Sequence, residues 1–187
     1  MKPRPHSQIR EKKTEEEKPD LSQVTRRMRA VLDALGYDFS RFTMEDFRAW
    51  LEWCRGRRIE FVPWTFESSI SGGWLACPAV DLVFFHQDTL PIHQAHIQLH
   101  EMSHILCSHL PVQLGQVLSE ADVASLEALL LRSGHTEREE MEAEVLASLV
   151  QQRVLDNSRL QELGKVVSSS FDEHFARYIA LFEPHGK

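Results

Sequence analysis

Hydrophobic positions along this chain change period several times, and each change marks an element. From Leu21 onward Val24, Met28, Val31, Leu32 and Leu35 recur at helical spacing, and Gly36 stands where a helix would stop. The spacing predicts an amphipathic helix. Thr43, followed by Glu45 and Asp46, opens a second, with Met44, Phe47, Trp50, Leu51 and Cys54 on its inner face and Gly56 beyond its end. The period then shortens. Residues 58–66 are rich in β-branched and aromatic side chains, and Pro63 confines them to an edge or bent strand. After a turn at 68–73, residues 73–77 and 80–86 read as two short strands around Pro78, so a small antiparallel sheet is expected.

Helical periodicity returns at about residues 90–109. Asp88 or Thr89 would cap this helix, Pro91 is tolerated in its first turn, Pro111 halts it, and Ile92, Ile97, Leu99, Ile105 and Leu106 bury much of its circumference. Val123, Leu126, Leu129 and Leu130 predict a helix over 120–131, ended by Gly134. Another starts at Thr136, with acidic residues in its first turn, and runs to about 155. A last one covers 170–182 through Phe171, Phe175, Tyr178 and Phe182. Trp50, Trp53, Trp64 and Trp74, with Phe61 and Phe66, are expected to fill the core between the early helices and the sheet. The fold class is α+β and predominantly helical, with the sheet placed just before one central helix.

Composition narrows the setting. The 187 residues, 42% hydrophobic, suffice for one core, so residues 21–187 are expected to form a single domain behind a charged, disordered tail at 1–20. A net charge of -7 argues against direct nucleic-acid binding, which calls for a basic stripe. Cys54, Cys77 and Cys107 are too few and scattered for a disulfide framework. Neither a signal-peptide core nor a run of roughly 18 apolar residues is present. A soluble, cytoplasmic protein with no membrane partner is expected.

Within the central helix stands His100-Glu101-Met102-Ser103-His104, an HExxH string. Two histidines four apart share a helix face and can hold one metal ion, while Glu101 between them is placed to take a proton from water that the metal has acidified. The expected cofactor is one zinc ion, and the expected chemistry is hydrolysis. A catalytic zinc commonly takes a third protein ligand. The HExxHxxGxxH arrangement is excluded, because positions 107 and 110 hold Cys107 and Leu110 and His109 comes one place early. Cys107 is a candidate, though a cysteine on a buried helix more often only packs. His93 and His96 extend the histidine face backwards, but a column from 96 to 104 spans about 12 Å, too long for one ion. Glu139, Glu140, Glu142 and Glu144 compete on the later helix. Glu140 and Glu144 share a face, with small Ala143 and Ala147 permitting close approach of another helix. Glu140 could ligate while Glu144 hydrogen-bonds a ligand histidine and fixes its tautomer. For an oxyanion donor, Tyr37, His135, His174 and Tyr178 are the weak candidates.

HEMSHILCSH, an interval of about 30 residues, then an ExEAxxxA helix, preceded by GGWLACPAVDLVFFHQ, resembles the ImmA/IrrE family of zinc metallopeptidases over roughly residues 60–150. The resemblance implies a zincin-like domain, with His100, His104 and Glu140 as zinc ligands and Glu101 as general base. It also implies a protein substrate, often a helix-turn-helix transcriptional repressor. The chain departs from the family in having HIQL before the motif and LVQQ after the third-ligand helix, positions that touch substrate binding. The alternative is a zinc-stabilised interaction module that regulates a transcription factor by binding alone. Retention of Glu101 favours the enzyme.

Overall fold

The computed structural model describes residues 19–113, 130 and 135–180, with backbone alone at 112–113 and beyond 161. The expected tail lies almost wholly, and the expected 120–131 helix apart from Leu130, outside the described residues.

Helix α1 (Leu21–Ala34) opens where the Asp20 carboxylate accepts from Ser22 N–H at 2.9 Å. Its stripe Val24, Met28 and Leu32 is buried, as the spacing predicts. Helix α2 (Met44–Arg55) is capped by Thr43 and closed by Gly56 in the left-handed conformation. Phe47 and Leu51 carry its burial, whereas Cys54 is exposed. Trp53, expected in the core, is 80% exposed. Trp50 joins the aromatic core near these helices as expected, with Tyr37, Phe39, Phe42 and Phe47 ring against ring.

The sheet is mixed, which corrects the antiparallel expectation. Strands β1 (Arg58–Trp64), β2 (Gly72–Ala76) and β3 (Val80–His86) lie in the order β1-β3-β2, and the two-residue β4 (Val112–Gln113) extends the β2 side. The chain crosses from β1 to β2 and leaves the gap between them, then turns back at 77–79 and fills it with β3. β3 is therefore antiparallel to β2 and parallel to β1, with Trp74 opposite Val83 and Ile59 opposite Asp81. β1, with Pro63, is an edge strand as expected. Alternation along the strands sends Trp74 and Val83 into the main core with the helices, and Leu75 and Phe84 into a second cluster with Phe66 and Leu130.

Helix α3 (Pro91–Leu106) starts with Leu90 at the cap position and no side-chain cap, so neither Asp88 nor Thr89 caps it. Helix α4 (Glu137–Ala180) is one helix of 44 residues where the pattern suggests two. Residues 156–169 hold no proline, and Gly164 costs only about 1 kcal/mol relative to alanine, too little to stop a helix already propagating. α4 packs on α3 and α1: Ala143, Leu146, Ala147 and Val150 are buried with Leu99, Met102 and Ile105. The small alanines let α3 and α4 approach closely, which sets the distance between the motif histidines and the glutamates of α4. Among the described residues no helix is long and apolar enough to cross a membrane.

Candidate metal centre

One turn of α3 carries His100 and His104 to the same face, and the first turn of α4 brings Glu140 over them. His100 Nε2 and His104 Nε2 are 3.1 Å apart, and the Glu140 carboxylate lies 3.4 Å from the first and 3.8 Å from the second. These three could hold a metal ion. A tetrahedral zinc with bonds of about 2.0–2.2 Å requires donor separations of about 3.3–3.6 Å, and the observed edges bracket that range.

Each ring nitrogen behind the centre is also engaged. His100 Nδ1 lies 3.4 Å from Glu144 Oε2, as expected for a carboxylate that fixes a ligand tautomer. The same Glu144 oxygen is 3.1 Å from His96 Nε2, and His96 Nδ1 is 3.1 Å from Gln151 Oε1. His96 therefore braces Glu144 rather than joining the centre. His104 Nδ1 lies 2.9 Å from His109 Nδ1, whose Nε2 donates to Glu142 Oε2 at 3.3 Å.

Burial is uneven. The His104 side chain is 1% exposed and that of Glu140 49% exposed, so the centre is closed beneath and open toward Glu140. A cavity of about 480 Å³ opens there, with Gly72, Gly73 and Trp74 of β2 on one wall and Glu101 at its base. Gly72 has no room for a side chain, because a Cβ would stand 2.3 Å from Ile97 Cγ2 and 2.9 Å from the Phe84 carbonyl oxygen. The strand thus lies directly against α3 beside the Glu101 carboxylate.

Electrostatics follow from this packing. Burial pushes the Glu101 carboxyl up to about 7, with His100 pulling the other way. Burial, with His135 and His100 close by, pushes His104 down to about 3, which leaves it neutral and able to donate a lone pair. Hydrogen bonds from His100 and His135 hold Glu140 far below the usual carboxylate range. For His100, burial opposes the proton but the Glu140 carboxylate outweighs it, and its pKa is raised.

All five residues singled out in the sequence, His100, Glu101, His104, Glu140 and Glu144, line this one cavity. Cys107 turns away from it: its Sγ lies 3.7 Å from Met28 Sδ, and burial pushes its thiol up to about 11. Tyr37 sits in the aromatic cluster, and the side chains of His174 and Tyr178 lie outside those described. His135 is at the centre after all. It stacks on His104 with ring centroids 3.9 Å apart, reaches Glu140 Oε1 at 3.2 Å and donates from Nε2 to the Leu110 carbonyl at 2.9 Å. The histidine beneath His104, His109, was legible only as a near miss to a longer zinc motif. The closed space at Gly72 left no local signal.

No family model, curated protein or solved structure matches the chain.

Proposed function

We propose that this chain is a cytoplasmic zinc-dependent endopeptidase, with His100, His104 and Glu140 holding the ion and Glu101 moving the proton. One observation carries the reading: the side chains of His100, His104 and Glu140 converge to within metal-binding reach of one another beside the buried Glu101 carboxylate, in an open cleft. A structural zinc closes its shell with protein ligands, whereas this donor set leaves a side free toward solvent.

Zinc held there would polarise a peptide carbonyl and lower the pKa of water to about 7. Glu101 takes the proton from the attacking water on its carboxylate, and the water oxygen adds to the carbonyl carbon. The same proton then passes to the departing nitrogen as the C–N bond breaks, giving a carboxylic acid and an amine, and the acid's proton then moves to the amine to leave a carboxylate and an ammonium. His100 and His104 stay neutral donors through Nε2, and His100 Nδ1 faces Glu144. Gly72, Gly73 and Trp74 of β2 form the wall along which a peptide substrate would lie.

The resemblance to the ImmA/IrrE family supports the same roles in the same order along the chain. It extends the reading to a protein substrate, with a helix-turn-helix repressor as the expected kind. Elemental analysis of untagged wild type, His104→Ala and Glu140→Ala, together with mass-spectrometric cleavage of a peptide library, tests it. About one zinc per wild-type chain, lost or weakened in both variants, is expected, with cleavage abolished and zinc retained in Glu101→Gln. Zinc without any Glu101-dependent cleavage would leave a binding module, and a wild type that takes up no zinc would remove the centre altogether.

A further inference from the structure

Behind the centre runs a buried chain of side chains that the hydrolytic steps do not use. His104 Nδ1 meets His109 Nδ1 at 2.9 Å, and His109 Nε2 meets Glu142 Oε2 at 3.3 Å. The other oxygen of Glu142 is taken by two guanidiniums, Arg27 Nη1 at 2.5 Å from α1 and Arg138 Nε at 3.1 Å from α4. His104, His109 and Glu142 are each at most 7% exposed.

For a neutral His109, hydrogen placement along this chain has one consistent solution. A carboxylate only accepts, so His109 carries its hydrogen on Nε2, and a neutral ring then has a bare Nδ1. The hydrogen between the two facing nitrogens must therefore sit on His104 Nδ1. That leaves His104 Nε2 bare and aimed at His100 and Glu140.

We propose that His109 is a positioning residue: relayed by Glu142, it fixes the tautomer and ring orientation of His104 for metal binding. The inference rests on the metal-centre reading above and adds an unpredicted partner to it. Metal-bound histidines commonly donate their second N–H to a carboxylate or carbonyl. Here an imidazole is interposed, and the carboxylate lies one residue further back. The backbone builds this contact deliberately. His109 N–H bonds the His104 carbonyl at 3.0 Å and Ser108 N–H bonds the Ile105 carbonyl at 3.1 Å, the paired bonds of a Schellman turn. The turn folds residue 109 back under residue 104, so the two residues joined through the backbone also meet through their rings.

Cys107, His109 and Glu142 also lie close enough to hold a metal of their own. The engagement of Glu142 with two arginines and of Cys107 with Met28 argues for the relay instead.

The test uses the full-length zinc-loaded protein. Zinc affinity is measured by competition with a chromophoric chelator for wild type, His109→Leu and His109→Asn. Imidazole protonation is read by nitrogen-15 NMR with and without zinc. Expected in wild type are a hydrogen on His104 Nδ1 and on His109 Nε2. His109→Leu should bind zinc roughly 10- to 100-fold more weakly. His109→Asn, whose Oδ1 can accept where Nδ1 stood, should recover most of the loss. Wild-type His109 with its hydrogen on Nδ1 would overturn the proposal, as would His109→Leu binding zinc as tightly as wild type. Two zinc ions per chain, one lost in Cys107→Ser, would make His109 a ligand and overturn it too. If His109→Leu does not fold, the wild-type tautomers decide alone. A wild type that binds no zinc ends both readings, whereas tight zinc binding that ignores His109 ends only this one.

Discussion

Ser108 holds a left-handed backbone, φ 58°, at the position of a Schellman turn that glycine usually takes. A side chain there costs about 1–2 kcal/mol against Cβ crowding, partly offset because glycine is freer in the unfolded chain. Ser108→Gly should therefore stabilise the protein by about 0.5–1 kcal/mol in urea unfolding, and Ser108→Val should destabilise it; equal midpoints for all three would mean that the turn is unstrained. Glu101 makes a second residue-scale prediction, for the metal-free protein. Its folded pKa, about 7, stands above the ordinary 4.5 of a free glutamate, so the unfolded chain ionises first as pH rises. Its contribution is intact below about pH 4.5 and is lost progressively up to about pH 7, a change of about 3 kcal/mol at 1.36 kcal/mol per unit. Glu101→Gln removes the titrating group. In EDTA, wild type should lose more stability than the glutamine variant between pH 5 and pH 8, and parallel losses would count against a buried carboxylate of this kind.

Among the elements, β3 carries the sheet's internal ion cluster. Asp81 is fully buried and pairs with Arg55 Nη2 at 3.0 Å and Arg57 Nε at 2.9 Å, binding the end of α2 to the interior strand. Removing the carboxylate takes the ion-pair partner from two partly exposed guanidiniums, so Asp81→Ala should cost about 1–3 kcal/mol in chemical denaturation. A cost near zero would mean that solvent already screens the cluster. Element types were largely legible in the chain, because the stripe on α1, the Thr43 and Gly56 caps of α2 and the β-branched runs are local properties. Strand direction was not. β1 and β3 are parallel because of where the chain leaves a gap, and nothing in either strand's own residues encodes that. The continuous α4 was missed for a related reason: a fading apolar stripe looks like an end, although residues 156–169 hold no proline to stop the helix.

Across the whole molecule, the centre joins α3 to α4, through His100 and His104 on one and Glu140 on the other. Zinc that binds only the folded chain at 100 times its Kd adds about 2.7 kcal/mol. For a chain of this size that raises Tm by about 5–10 °C. Scanning calorimetry with and without zinc should record this shift in wild type and not in His104→Ala, and an equal shift in both would place zinc elsewhere. By itself the sequence determined the motif helix, its histidine face and the pairing of Glu140 with Glu144, because helical periodicity makes residues four apart neighbours whatever surrounds them. Only the tertiary structure decided which glutamate meets which histidine, that His135 stacks on His104, that Gly72 must stay bare, and that His109 and Glu142 stand behind the centre. Except for the His104–His109 pair, which a local turn brings together, those contacts join residues distant along the chain, and their geometry is set by how closely α3, α4 and the sheet pack.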